Sequence, residues 1–166
     1  PFLGPEMRST GEVMGVGKDF PAAFDKAFLA AGDVVPSSGK VLLSLRKLDR
    51  GRLVELGERL ISHSFEIVAT RTNQEILTKA GLECTMINKV SEGSPHIVDA
   101  IKNDEISLII NSTEDSQGLE DATVIRCQAL IHKVPCLTTV SAAFAMLDGL
   151  KTQDKLVVRS LQSIHN

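Results

Sequence analysis

From Val41 onward the chain alternates between two kinds of pattern, five times over. Short runs rich in aliphatic and β-branched residues are VLLSL (41 to 45), FEIVAT (65 to 70), CTMIN (84 to 88), SLIINS (107 to 112) and PCLTT (135 to 139). Helical spacing fills the intervals: Arg50 to His63, Gln74 to Ala80, Pro95 to Asn103, Glu120 to His132 and Ala142 to Leu150. Parallel strands cannot be joined by a tight hairpin; they need a crossover, usually a helix. The alternation therefore predicts an α/β three-layer sandwich, a five-stranded parallel sheet with helices on both faces. VLLSL and SLIIN are nearly continuous in apolar residues, as strands buried on both faces are.

Local details sharpen this outline. Leu53, Leu56, Leu60 and Ile61 recur at i, i+3, i+7 and i+8 and predict one buried helix face. Pro95 is expected in the first turn of its helix, where its missing amide costs nothing. Before the alternation, FPAAFDKAFLAA (20 to 31) reads as a helix stopped by Gly32, and VVPSSGK (34 to 40) as a connector. Residues 1 to 18 read as an irregular leader, and KTQDKLVVRSLQSIHN as a short tail. The chain begins PFLGPEM without an initiator methionine, which suggests a piece of something longer.

Composition narrows the partners. A chain of 166 residues can bury a core of its own, and a net charge of −3 gives no general attraction to nucleic acid or anionic membrane. No apolar run is long enough to span a bilayer. Cys84, Cys127 and Cys136 form no C-x-x-C pair and sit in apolar settings, so buried, reduced thiols in a cytoplasmic protein are expected. His63, His96, His132 and His165 are scattered, without the grouping that a zinc site requires.

The polar residues are more telling. In open α/β sheets ligands bind beyond the carboxyl ends of the strands. The first run is followed by Arg46, Lys47 and Arg50, and the second by Thr70, Arg71, Thr72 and Asn73. Asn88 and Lys89 follow the third; Asn111, Ser112 and Thr113 follow the fourth. Hydroxyls, amides and cations beside helix starts suit an anion, most naturally phosphate. Asp49 and Glu75 lie nearby in sequence and count against it.

The glycine-rich stretch STGEVMGVGK is a different matter. A P-loop needs glycine where Glu12 stands and a hydroxyl where Asp19 stands, so the spacing argues against nucleotide hydrolysis there. No catalytic constellation is evident. No carboxylate is evident to orient His96, and Asp121 reads as a helix cap or first-turn residue.

Longer motifs carry a resemblance. LGPEMRSTGEVMGVGK, NKVSEGSPHIVDAIK, IINST and EDATVIRCQAL resemble the C-terminal end of the carbamoyl-phosphate synthase large chain, including its methylglyoxal synthase-like domain. The likeness implies residues 1–39 as a junction from the preceding carbamoyl-phosphate-forming half, 40–150 as the regulatory domain and 151–166 as a tail. It implies a cytoplasmic ligase making carbamoyl phosphate from bicarbonate, ammonia drawn from glutamine and two ATP, for pyrimidine and arginine synthesis. The ATP sites, with magnesium or manganese, would lie upstream, leaving this piece non-catalytic and without cofactor. The implied partners are the upstream domains, a glutamine-hydrolysing small chain and other copies in an oligomer. The implied effectors are UMP, IMP and ornithine.

Position by position, the nucleotide contacts would fall on Arg50, Thr70, Asn73, Lys89, Asn111 and Thr113, and the ornithine side on Asp121 and Thr138. Two departures stand out. Arg50 replaces the family's usual lysine, and Thr70-Arg71-Thr72-Asn73 replaces its Thr-His-Gly-Thr turn. Arg71 is then either a bidentate clamp on the phosphate or turned away from it. Two other readings are a methylglyoxal synthase-like phosphate lyase and an effector-blind oligomerisation domain. Against the lyase, SEGSPH lacks the aspartate that such enzymes place after the third strand.

Overall fold

The computed structural model describes residues 13–32, 34–112, 116–150 and 160–164. Most of the leader motif, Thr113 and most of the tail lie outside the described residues. The strands are β1 (Gly39–Ser44), β2 (Phe65–Thr70), β3 (Thr85–Ile87), β4 (Leu108–Asn111) and β5 (Cys136–Leu137). They form one parallel sheet in the order β3-β2-β1-β4-β5. The helices are α1 (Phe20–Ala30), α2 (Leu53–Ser62), α3 (Arg71–Lys79), α4 (Ile97–Lys102), α5 (Ser116–Ile131) and α6 (Val140–Leu150). A 3-10 segment, Lys47–Arg52, leads into α2.

Alternation along β1 creates two cores. Val41, Leu43 and Leu45 face one side, against Leu53, Leu56 and Leu60 of α2, Leu77 of α3 and Val140 and Phe144 of α6. Leu42 faces the other, with Val68, Ile109, Ile97 and Ile101 of α4, and Ile125 and Ala129 of α5. These are the three expected layers. α1 packs on α6, with Phe24 and Phe28 closing over the first core, and Gly32 ends it at φ +85°.

Several local expectations are corrected. Ile61 is 41% exposed, because 100° per residue carries it well round from Leu56 and Leu60. Pro95 lies outside α4, whose N-cap is His96. α5 begins at Ser116, so Asp121 is in its second turn, neither a cap nor in the first turn. The second helical pattern begins earlier than expected, at Arg71 directly after β2. That early start aims the first turn of α3 at the end of the sheet.

Chain order fixes where a ligand can sit. β1 to β2 to β3 runs outward on one side, and β4 then returns to the opposite side of β1. The crevice beyond the β1 and β4 carboxyl ends is the topological switch point of such a sheet. Ser44 is paired with Asn111 there, and the Ser112 amide donates to the Ser44 carbonyl at 3.1 Å.

Candidate functional site

A cavity of about 270 Å³ opens at this switch point. Ser44, Leu45, Arg46, Lys47 and Arg50 line it from the β1 end; Thr70, Arg71 and Thr72 from β2 and α3; Asn111 and Ser112 from β4. Lys89 and Glu92 enter from the β3–α4 loop, and Asp121, Ala122 and Ile125 from α5, with Ile97 of α4. Five cations therefore face two carboxylates. Both acids are engaged with the loop that carries Lys89: Glu92 Oε2 accepts the Lys89 backbone amide at 2.9 Å, and Asp121 accepts from Ser91 Oγ at 3.3 Å. Asn88 holds the same loop by donating to the Pro95 carbonyl at 3.1 Å, while its own carbonyl accepts the Ile97 amide.

Two features make the cavity hungry for acceptors. Thr70 is the N-cap of α3 but makes no side-chain cap bond, leaving first-turn amides beside the cavity. Asn111 is 1% exposed, lines the cavity, and its Nδ2 has no partner among the described residues. A buried donor left unmatched costs about 1–3 kcal/mol, which an anionic oxygen would recover. Arg50 anchors through Nε to the Leu45 carbonyl at 3.4 Å, which leaves its terminal nitrogens for a ligand.

Of the six nucleotide positions expected from sequence, Arg50, Thr70, Lys89 and Asn111 come together on this cavity. Asn73 is buried behind Thr70 and does not line it. Thr113 lies outside the described residues. Arg71 is on the wall. Glu75 is exposed elsewhere, and Asp49 is turned to a neighbouring cavity, so neither acid opposes an anion from within. Sequence reading missed Glu92 and the apolar patch of Ile97, Ala122 and Ile125. The i, i+3 spacing of Ala122 and Ile125 was the available signal.

A sheet of this order, with its polar rim at the switch point, is matched in sequence by the model of the MGS-like domain over residues 52–138. This chain belongs to the MGS-like domain family. The match spans Thr70, Lys89, Asn111 and Asp121 but begins after Arg50. The chain is also 47% identical over 165 residues to the carbamoyl phosphate synthase large chain of Pseudomonas putida. The corresponding figures are 46% for the Vibrio cholerae protein and 47% for that of Xanthomonas axonopodis pv. citri. Each alignment covers 99% of this chain and 15% of the relative, so the chain spans about 15% of their length.

The MGS-like domain carries a second cavity, about 480 Å³, lined by Arg46, Asp49, Arg52, Ser112, Arg126 and residues 138 to 141 at the start of α6. Thr138 lies here and Asp121 in the first cavity, so the two ornithine-side positions are separated. Burial alone would raise the Asp49 pKa, but its hydrogen bond with Ser112 and the Arg46 guanidinium outweigh that and hold it below the usual carboxylate value.

The MGS-like domain also supplies the carboxylate that the local sequence did not reveal beside His96. Asp99 Oδ2 accepts the His96 amide at 2.9 Å and lies 3.2 Å from its Nδ1. Ser94 Oγ donates to the same oxygen at 2.7 Å, and this bond is the main reason the Asp99 pKa is lowered, ahead of the His96 amide. The group caps α4 and does not line the cavity. The expectation of buried thiols is corrected for Cys127, which is exposed on α5, while Cys84 and Cys136 are half-buried and all three are free. Among the described residues no helix is long and apolar enough to cross a membrane.

Proposed function

We propose that this MGS-like domain is the allosteric effector-binding part of a glutamine-dependent carbamoyl-phosphate synthase large chain, taking UMP or IMP by the phosphate. The observation that carries the reading is the convergence of Arg50, Arg71, Lys89, Thr70 and the Asn111 amide, unmatched among the described residues, on one cavity. A phosphate dianion would meet guanidinium and ammonium groups, a hydroxyl, an amide and a helix N-terminus together. The apolar patch of Ile97, Ala122 and Ile125 offers a surface for a base or sugar.

On this reading the whole protein is a cytoplasmic ligase that consumes bicarbonate, glutamine-derived ammonia and two ATP, with magnesium or manganese in domains upstream. It works with a glutamine-hydrolysing small chain, forms oligomers and serves pyrimidine and arginine synthesis. Residues 1–39 are the junction with the preceding half, 40–150 the regulatory domain and 151–166 the tail. Ornithine acts at that junction, with acidic partners from the other side. This piece catalyses nothing and holds no cofactor.

The chain has no Trp and no Tyr, so calorimetric titration with UMP and IMP is the suitable test. Lys89→Ala is expected to weaken binding about 10- to 100-fold, the worth of one charge-assisted contact. Retained affinity in that variant would remove Lys89 from the phosphate site. One observation favours a second reading: Asp121 places a carboxylate on the cavity wall, as a phosphate lyase would need. Incubation with dihydroxyacetone phosphate decides between them, since only the lyase yields methylglyoxal.

A further inference from the structure

Asn73, one of the three residues of the 70 to 73 turn that differ from the resembled pattern, is 1% exposed and does not line the cavity. Its Nδ2 makes two hydrogen bonds, to the Leu45 carbonyl at 3.3 Å and to Thr70 Oγ1 at 2.9 Å. The first bond fixes which way the amide points, because a carbonyl can only accept. With the amide so held, Thr70 Oγ1 can meet it only as an acceptor. A threonine hydroxyl has one proton, and here that proton is not used on Asn73. Nor is it used on the helix, since amides have no need of a donor and α3 has no side-chain cap bond from Thr70. Thr70 lines the cavity, so among the described residues its proton is left for an acceptor that enters.

Asn73 also joins two strand ends. Its amide reaches from the first turn of α3 to the carbonyl just after β1, the same carbonyl that accepts Arg50 Nε at 3.4 Å. One side chain therefore sets Thr70 as a donor and braces the carbonyl on which Arg50 rests.

We propose that Asn73 is a positioning residue: it presents the Thr70 hydroxyl as a hydrogen-bond donor to the phosphate and does not touch the ligand itself. The inference rests on the effector-binding reading above.

A double-mutant cycle on the 166-residue chain tests it, with calorimetric titration of inorganic phosphate and of UMP. Asn73→Ala is expected to weaken both ligands about 5- to 10-fold, a loss typical of one misdirected hydrogen bond. In a Thr70→Val background the same change is expected to cost less than about twofold, because the hydroxyl it orients is gone. Asn73→Ser, which cannot reach both acceptors, stands in if the alanine variant fails to fold. Additive losses in the cycle would overturn the inference, because Asn73 would then act independently of the Thr70 hydroxyl. A lowered melting temperature with unchanged affinity would overturn it too, leaving Asn73 a purely structural brace. If the unsubstituted chain binds neither phosphate nor UMP, the effector reading itself falls, and the inference with it.

Discussion

Arg46 Nε donates to Asp49 Oδ2 at 2.8 Å, and this pair stands where the two cavities meet. Arg46 lines both cavities, whereas Asp49 lines only the second. The pair therefore holds one guanidinium partly away from the proposed phosphate position. Asp49→Asn removes the opposing charge and is expected to raise phosphate affinity about 3- to 10-fold at low salt, with a smaller gain at high salt. Titrations at two ionic strengths measure this; unchanged affinity at both would place Arg46 outside the phosphate field.

Asn111 predicts a trade between stability and binding. Replacing it with leucine, similar in size, removes a buried donor that has no partner among the described residues. Asn111→Leu is expected to leave the melting temperature unchanged or higher while phosphate affinity falls about tenfold or more. A marked loss of stability instead would mean the amide serves the fold.

Acid should loosen the α4 cap. The fold lowers the Asp99 pKa, so its contribution to stability is fully present above the unfolded carboxylate value, about pH 4, and is lost as pH falls through the folded value. The native chain is expected to lose more melting temperature than Asp99→Asn between pH 5 and pH 3, roughly the window in which carboxylates protonate. Parallel acid profiles for the two proteins would discount the cap.

The thiols should separate by reactivity. Burial pushes Cys84 up to about 11, leaving roughly one thiolate in a thousand at pH 8. Cys136 is also raised by burial, opposed by the Arg126 charge. Cys127, exposed on α5, is expected to take up iodoacetamide first and both others far more slowly. Peptide mass spectrometry over a time course reads the order directly.

Gly39 should not tolerate a side chain. Its φ is +112°, and a Cβ there would lie 2.2 Å from Ser107 Oγ. Gly39→Ala is expected to cost about 1–3 kcal/mol from the backbone alone, and more from the clash. Thermal or chemical unfolding gives the value. Ser107→Gly should recover only the steric part, since it leaves the dihedral unchanged.

The residues that were readable from sequence, and those that were not, differ in the range of the forces that place them. FEIVAT became β2 without a change of boundary, and Leu53, Leu56 and Leu60 faced the core as their spacing required. Asn73 could not be read: a polar residue in the first turn of a helix gives no sign of whether it faces a cavity or folds back on a threonine. Asp121 and Thr138 looked like one group and lie on different cavities, the first in the second turn of α5 and the second just after β5.

By itself, then, the sequence determined the elements, the parallel sheet and the polar character of its strand ends, since periodicity is a local property set by 3.6- and 2-residue geometry. Only the tertiary structure decided that β1 sits at the centre with β4 returning beside it, and so that Arg50, Thr70, Lys89 and Asn111 share one cavity. Strand order is chosen by how whole crossover helices pack on the two faces of the sheet, and no window of local spacing contains that information.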